Sequence, residues 1–125
     1  MLLDTCALLW LVEGSPRLSR STRNKIEASP SLCVSAISGF EIALKVHAGK
    51  LRLSKPPTDW LNEAVEHHGL GWLPLDLDVC LKAAGLPPIH ADPCDRFIIA
   101  TALLNEMPVV TADERFAKYG VETIC

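Results

Sequence analysis

Short, continuous apolar runs alternate along the chain with segments whose apolar residues recur every three or four positions. The continuous runs predict five β-strands, over residues 2–4, 32–35, 71–75, 108–111 and 121–124. Strands that are apolar throughout are typical of a parallel sheet covered on both faces, since neither face meets water. The pattern therefore favours buried parallel strands.

The intervening segments predict helices over residues 6–12, 20–28, 36–48, 59–68, 77–84, 93–105 and 113–118. In the third of them Ile37, Phe40 and Leu44 recur at helical steps, and Gly49 is expected to end the helix. Asp92 and Pro93 suit an N-cap and a first helical position. Alternating strands and helices predict an α/β fold, a three-layer α/β/α sandwich around a mainly parallel five-stranded sheet.

Composition limits the class of protein. A chain of 125 residues with 49% apolar and 22% charged residues predicts one globular domain over residues 1–125 and excludes a disordered chain. The longest apolar run, residues 6–12, is much shorter than the roughly 18 residues of a membrane span, so no membrane association is expected. No basic segment precedes the first strand, and the five cysteines form no CxxC pair. These features predict a cytoplasmic protein.

The charge is distributed unevenly around a net value of −3. Residues 1–55 contain eight Lys and Arg against four Asp and Glu, whereas residues 56–125 contain four against eleven. A basic half beside an acidic half suits a site that holds cations next to a polyanion, although chance gives such asymmetry too.

Four carboxylates follow the predicted strands closely. Asp4 ends the first strand, Glu41 lies about two turns into the helix after the second, and Asp113 follows the fourth. Asp95 reaches the same edge only if the N-terminus of its helix faces that edge. Ligands of open parallel sheets bind beyond the carboxyl ends of the strands, so this edge is the expected site.

Carboxylates that converge at one edge repel each other at neutral pH unless a cation neutralises them. Oxygen ligands without His or Cys favour Mg²⁺, with Mn²⁺ as a substitute, over Zn²⁺. Mg²⁺ often shares its coordination sphere with phosphate oxygens and stabilises phosphoryl displacement. The residue types therefore indicate metal-dependent cleavage of phosphodiester bonds.

Four segments also resemble the signature blocks of PIN-domain ribonucleases, and most closely those of VapC toxins of bacterial VapBC toxin–antitoxin pairs. They are LLDTCALLW (2–10), SAISGFEIALK (35–45), HADPCDRFIIATA (90–102) and VVTADERF (109–116). The resemblance implies a Mg²⁺-dependent endoribonuclease that acts as a toxin, hydrolysing RNA with metal-activated water to leave a 5′-phosphate and a 3′-hydroxyl. It implies catalytic, metal-binding acids at Asp4, Glu41, Asp95 and Asp113. It also implies a homodimer inhibited by a cognate VapB-like antitoxin.

The resemblance further assigns the metal-binding role in the HADPCDR segment to Asp95 and leaves Asp92 as the N-cap, with a supporting role as an acid nearby. Three hydroxyl groups close to the acids are candidates for holding a carboxylate or a metal-bound water in place, namely those of Thr5, Ser38 and Thr111. Basic residues close to the acids are candidates for contacting RNA phosphates, namely Lys45, Arg96 and Arg115.

Less specific interpretations remain open for the same residues. Each acid has a structural alternative as a helix cap or a solvated side chain, and the hydroxyls can bond the nearby backbone instead. His90 and Cys94 resemble half of a zinc site, but no second pair has matching spacing, so His90 is expected to be structural. The tryptophans Trp10, Trp60 and Trp72 are expected in the core.

Three alternative functions also remain open. The same acids would serve a nuclease or phosphatase acting on DNA, since the metal contacts phosphate and not sugar. A Mg²⁺-binding regulatory module of the receiver type is disfavoured, because Asp4 stands alone after the first strand. A catalytically inactive or regulatory module that binds RNA or a partner protein without cleavage is the main alternative.

Overall fold

A computed structural model describes residues 1–125 and contains one five-stranded sheet. The strands are β1 Leu2–Leu3, β2 Leu32–Ser35, β3 Leu70–Leu73, β4 Val109–Val110 and β5 Thr123–Ile124. Their order in the sheet is β3-β2-β1-β4-β5, and every neighbouring pair is parallel. This confirms the prediction of a mainly parallel five-stranded sheet.

Six α-helices and one 3₁₀ helix surround the sheet. The α-helices are α1 Thr5–Glu13, α2 Arg20–Ala28, α3 Ala36–His47, α4 Pro57–His68, α5 Leu77–Gly85 and α6 Pro93–Asn105, and the 3₁₀ helix is Phe116–Tyr119. None of these helices is long and apolar enough to cross a membrane.

The core lies in two separate clusters, one on each face of the sheet, because successive side chains of a strand point to opposite faces. Leu2 and Val109 belong to one cluster, with apolar residues of α5, α6 and the 3₁₀ helix. Leu3 and Val110 belong to the other, with apolar residues of α1, α2 and α4. Helices therefore cover both faces, and the three-layer α/β/α arrangement is confirmed.

Local sequence signals set most of the helix ends. The side chains of Ser19, Asp76 and Asp92 each accept hydrogen bonds from backbone N–H groups in the first turn of the helix that follows. Ala48 is the C-cap of α3. The next residue, Gly49, has a φ of 72°, a left-handed conformation that glycine adopts without steric cost.

Three local predictions were wrong. Asp4 does not belong to the first strand; it is the N-cap of α1. Asp113 does not open a helix, because residues 114–115 form a turn and the 3₁₀ helix begins only at Phe116. Trp72 is not in the core: it lies on the edge strand β3 and is 40% exposed.

The strand order determines where a site can form. From β1 the chain moves outward to β2 and β3 on one side, and then crosses to β4 and β5 on the other. The neighbouring strands β1 and β4 therefore flank a topological switch point, where a crevice opens at the carboxyl edge. Asp4 directly follows β1, and Asp113 lies three residues after β4.

Candidate active site

Asp4 is held deep in the crevice at the start of α1. Its Oδ1 accepts a hydrogen bond of 2.7 Å from the backbone N–H of Ala7, and the residue is only 6% exposed. Burial raises the pKa of Asp4, although hydrogen bonds from Thr111 and Ala7 oppose this effect. Because water hardly reaches this carboxylate, a nearby cation would strongly stabilise its ionised form.

Glu41 enters the crevice from α3, and its two carboxylate oxygens have different surroundings. Oε2 lies 3.3 Å from Nζ of Lys45, one helical turn further on. Oε1 is buried and has no hydrogen-bond partner. Buried polar atoms are nearly always paired, so an unpaired carboxylate oxygen indicates a position for a ligand that supplies positive charge.

Asp113 is the acid with the most hydrogen bonds. The Arg115 guanidinium donates two hydrogen bonds to it in a bidentate arrangement, with Nε 3.0 Å from Oδ1 and Nη2 2.8 Å from Oδ2. The backbone N–H of Arg115 also donates to Oδ1, over 2.9 Å. These hydrogen bonds from Arg115 hold the pKa of Asp113 well below its usual range.

Asp95 lies in the first turn of α6, and its Oδ2 is 2.9 Å from Nε2 of His90. The same His90 atom is 2.9 Å from Oδ2 of Asp113, so the N-terminus of α6 faces the carboxyl edge, as the sequence argument required. Burial raises the pKa of Asp95 to about 6, the charge of Asp92 adds to the rise, and His90 opposes it.

His90 is the residue at the site that sequence reasoning missed. It is 2% exposed and contacts two of the four acids, whereas the sequence indicated only a structural residue or half of a zinc site. Its Nδ1 accepts a hydrogen bond of 3.2 Å from the backbone N–H of Asp92. The ring proton therefore lies on Nε2, which donates a hydrogen bond to Asp113 and does not act as a metal ligand.

All four acids line one cleft of about 340 Å³. Lys45 and Trp10 also line it, so Trp10 is half-buried beside the acids and not wholly in the core as expected. A larger groove of about 930 Å³ lies between α1 and α4, but none of the four acids lines it. The smaller cleft is the candidate active site because the titratable groups converge there.

The hydroxyl groups singled out from the sequence occupy different places. The Thr111 Oγ1 accepts the backbone N–H of Asp113 at 3.0 Å, and its hydroxyl group also hydrogen-bonds to Asp4. Thr111 thus connects two acids. The hydroxyls of Thr5 and Ser38 lie 2.9 Å apart and bond to each other, joining α1 to α3. Asp92 caps α6, with its Oδ1 2.8 Å from the backbone N of Cys94.

Of the three basic candidates, Arg96 does not fit its predicted role in contacting RNA. Its guanidinium points away from the cleft and is held by carbonyl groups and a hydroxyl of the neighbouring loop and turn. The acceptors are the carbonyl oxygens of Ala83, Leu86, Pro87 and His90 and the Oη of Tyr119, at 2.7–3.5 Å. Arg96 is therefore a structural residue. Lys45 and Arg115 remain at the cleft, each paired with an acid.

The donor set fits a hard divalent cation. Asp4, Glu41, Asp95 and Asp113 present only carboxylate oxygens, and the buried Oε1 of Glu41 has no partner in the protein. His90 is excluded as a ligand by its own hydrogen bonds. Cys6 also lines the cleft, but burial raises the pKa of its thiol, which therefore stays protonated and is a poor metal ligand. Carboxylate oxygens without softer ligands favour Mg²⁺ or Mn²⁺ over Zn²⁺.

The chain is similar to proteins of one family along almost its whole length. The sequence pattern of the PIN domain matches residues 1–122. "Ribonuclease VapC22" of Mycobacterium tuberculosis is 34% identical over 121 residues, which cover 95% of this chain and 91% of that protein.

Two solved structures share the fold. A chain of a toxin–antitoxin complex from Klebsiella pneumoniae superposes with a TM-score of 0.69 at 20% identity, over 99% of this chain and 95% of that one. A chain of VapBC2 from Rickettsia felis, crystallised with a promoter DNA fragment, superposes with a TM-score of 0.71 at 14% identity, over 98% of this chain and 96% of that one.

Proposed function

The chain belongs to the PIN-domain family, and on this basis we propose that it is an endoribonuclease that acts as the toxin of a type II toxin–antitoxin system. The support is its similarity to a protein named as a ribonuclease of the VapC type, at 34% identity over 95% of the chain. The structural observation that carries the proposal is the convergence of the four candidate acids in one cleft, which Asp92 also lines, with one buried carboxylate oxygen unpaired.

The proposed cofactor is Mg²⁺, with Mn²⁺ as a substitute, held by Asp4, Glu41, Asp95 and Asp113. When bound, such an ion supplies positive charge that stabilises an in-line displacement at phosphorus and lowers the pKa of water. The protein contributes fixed carboxylates, because Asp4 is tied to the backbone of α1 and Asp113 to that of Arg115. Fixed ligands need little reorganisation when a phosphodiester binds.

The proposed substrate is RNA, approached through its phosphates. Lys45 and Arg115 stand at the cleft with side chains 40% and 51% exposed, so both can reach a phosphate from the solvent side. The product ends expected from hydrolysis by water are a 5′-phosphate and a 3′-hydroxyl. Trp10 lies on the wall of the same cleft.

The proposed partners are a cognate VapB-like antitoxin and a second copy of the chain. Chains of similar fold have been solved in toxin–antitoxin complexes from Klebsiella pneumoniae and Rickettsia felis. An acidic cleft with an unpaired carboxylate oxygen suits a basic side chain supplied by an inhibitor. Coexpression with an antitoxin and light scattering of the purified chain test these two partners separately.

Cleavage of defined RNA tests the activity. The purified chain is incubated with a mixed RNA pool and with a matched DNA pool, in Mg²⁺, in Mn²⁺ or in EDTA, and the product ends are mapped. Asp4→Asn, which is nearly isosteric and keeps an acceptor for the Ala7 N–H, is expected to abolish cleavage while the fold survives. Asp78→Asn, at an exposed position of α5 outside the cleft, is the matched control.

The outcomes separate the proposed functions. Metal-dependent cuts with 5′-phosphate ends, absent in Asp4→Asn and retained in Asp78→Asn, would support the nuclease. Equal cleavage of DNA would change the substrate class. Undiminished cleavage by Asp4→Asn would refute the site, and metal binding without any cleavage would favour the inactive or regulatory module.

A further inference from the structure

We propose that His90 is a positioning residue, which holds Asp95 and Asp113 together so that both carboxylates present oxygens to one cation. The inference rests on the proposed function only in taking these two acids as ligands. The two acids belong to different elements, one in the first turn of α6 and the other in the turn after β4. No covalent or helical constraint sets the distance between them.

The imidazole Nε2 is the atom that sets this distance. It lies 2.9 Å from Oδ2 of Asp95 and 2.9 Å from Oδ2 of Asp113. The side-chain ligand atoms of the three residues all fall within 4.8 Å of one another. Two carboxylates at this separation repel each other. The Nε2–H is hydrogen-bonded to Asp113 and lies 2.9 Å from Asp95, so it places positive partial charge between them in the absence of a cation.

The hydrogen bonds of the ring also fix its orientation. Because Nδ1 accepts the backbone N–H of Asp92, the proton is on Nε2, which donates it to Asp113 beside Asp95. The same Asp92 caps α6 through its side chain, so the helix that carries Asp95 and the ring that orients it share one anchor. A ring that donates from one nitrogen and accepts at the other has only one productive orientation.

The backbone and the packing around His90 leave the ring little freedom. Its N–H donates to Oη of Tyr119 over 2.8 Å, and its carbonyl accepts from Nη1 of Arg96 over 3.2 Å. The ring packs edge-on against the fully buried Phe116, with centroids 6.0 Å apart. The position of the ring is therefore fixed independently of the two acids.

Two substitutions separate the contact with the acids from the contact with the loop. In His90→Asn, the amide oxygen can replace Nδ1 as acceptor of the Asp92 N–H, but the side chain is too short to reach the acids. In His90→Gln, the terminal NH₂ can replace Nε2 as donor to Asp113, whereas the contact with Asp92 is lost. If His90 only supported the fold, the Mn²⁺ affinities of the two variants would not differ according to which contact each one keeps.

The first readout is the affinity for Mn²⁺ alone, measured by titration calorimetry without RNA. Residues that orient metal ligands typically change metal affinity by about 10- to 100-fold when replaced. We expect His90→Asn to weaken Mn²⁺ binding by about that factor, and His90→Gln to retain affinity closer to the wild type. Thermal unfolding of both metal-free variants, followed by circular dichroism, shows how much of each population is folded.

The second readout is the protonation pattern of the ring in the wild type. Long-range ¹H–¹⁵N NMR of the metal-free protein is expected to show the His90 proton on Nε2. A proton on Nδ1 would overturn the inference, and so would a His90→Asn variant that binds Mn²⁺ as tightly as the wild type. Loss of Mn²⁺ binding only in proportion to loss of folded protein would reduce His90 to a structural residue.

A third result would also overturn positioning in favour of direct ligation. If the wild type binds Zn²⁺ far more tightly than Mn²⁺ and both variants lose that preference, His90 is a ligand. If instead the wild type cleaves no RNA, the proposed function fails, but the Mn²⁺ titrations and the NMR measurement still decide the role of His90.

Discussion

Replacing Asp95 with Asn is expected to stabilise the metal-free protein at neutral pH while abolishing its activity. Burial raises the pKa of Asp95 from 3.8 to about 6, and its side chain is only 21% exposed. At about 1.36 kcal/mol per pKa unit, this rise corresponds to about 3 kcal/mol of unfavourable free energy in the ionised native state. Asn removes the charge and keeps an oxygen at the position of Oδ2, 2.9 Å from Nε2 of His90.

The expected gain depends on pH in a defined direction. Native Asp95 binds its proton more tightly than the unfolded chain does, so the native state holds more protons between pH 3.8 and about 6. The stability of the wild type therefore falls as the pH rises through that window, and the full penalty is present above about pH 7. Asp95→Asn should match the wild type near pH 4 and exceed it by up to about 3 kcal/mol at pH 7.5.

Urea unfolding in EDTA, followed by tryptophan fluorescence, measures this difference at pH 4.5, 6 and 7.5. For a domain of this size each kcal/mol shifts the thermal midpoint by about 4 °C, so differential scanning fluorimetry gives a second estimate. Asp78→Asn, at an exposed position, should change the midpoint little at any pH. A variant less stable than the wild type at pH 7.5, or a gain that does not depend on pH, would refute the electrostatic reasoning.

Three further outcomes follow from the site and its support. Mn²⁺ at about 100 times its Kd should raise the unfolding free energy of the wild type by about 2.7 kcal/mol and that of Asp4→Asn by much less; equal shifts in urea melts would contradict the ligand assignment. Arg96→Ala should lower the unfolding free energy by about 2–4 kcal/mol, because buried carbonyls lose charged donors, and a change below about 0.5 kcal/mol would show that they pair with water instead. Lys45→Ala should weaken RNA binding and reduce the slope of log K against log salt concentration by about 1 unit; an unchanged slope would remove Lys45 from the RNA contacts.

Features set by neighbouring residues were predictable from the sequence. Asp92 followed by Pro93 gives the start of α6 correctly, since cap and first-turn preferences act within a few residues. The continuous apolar strands indicated a sheet covered on both faces, and the two core clusters confirm this. The placement of acids after strands also predicted that Asp4 and Asp113 would lie at one edge, because parallel strands share their direction.

Features set by distant residues were not predictable in the same way. The contact of His90 with Asp95 and Asp113 depends on the strand order and on the path of the loop after α5, which no local pattern specifies. The error on Arg96 was avoidable: adjacent residues of a helix point in different directions, so a side chain next to Asp95 cannot share its face. Sequence proximity to an acid is therefore weak evidence for a common site.

The interior position of β1 and β4 in the sheet has a consequence for how the protein loses activity. Leu2, Leu3, Val109 and Val110 are at most 1% exposed, and the Asp4 N–H bonds to the carbonyl of Val110 across the two strands. Hydrogen exchange at such amides requires the sheet to open completely, whereas the edge strands β3 and β5 can open locally. The acids that follow the central strands thus belong to the last cooperative unit to unfold, and residual activity during denaturation reports the survival of the whole fold.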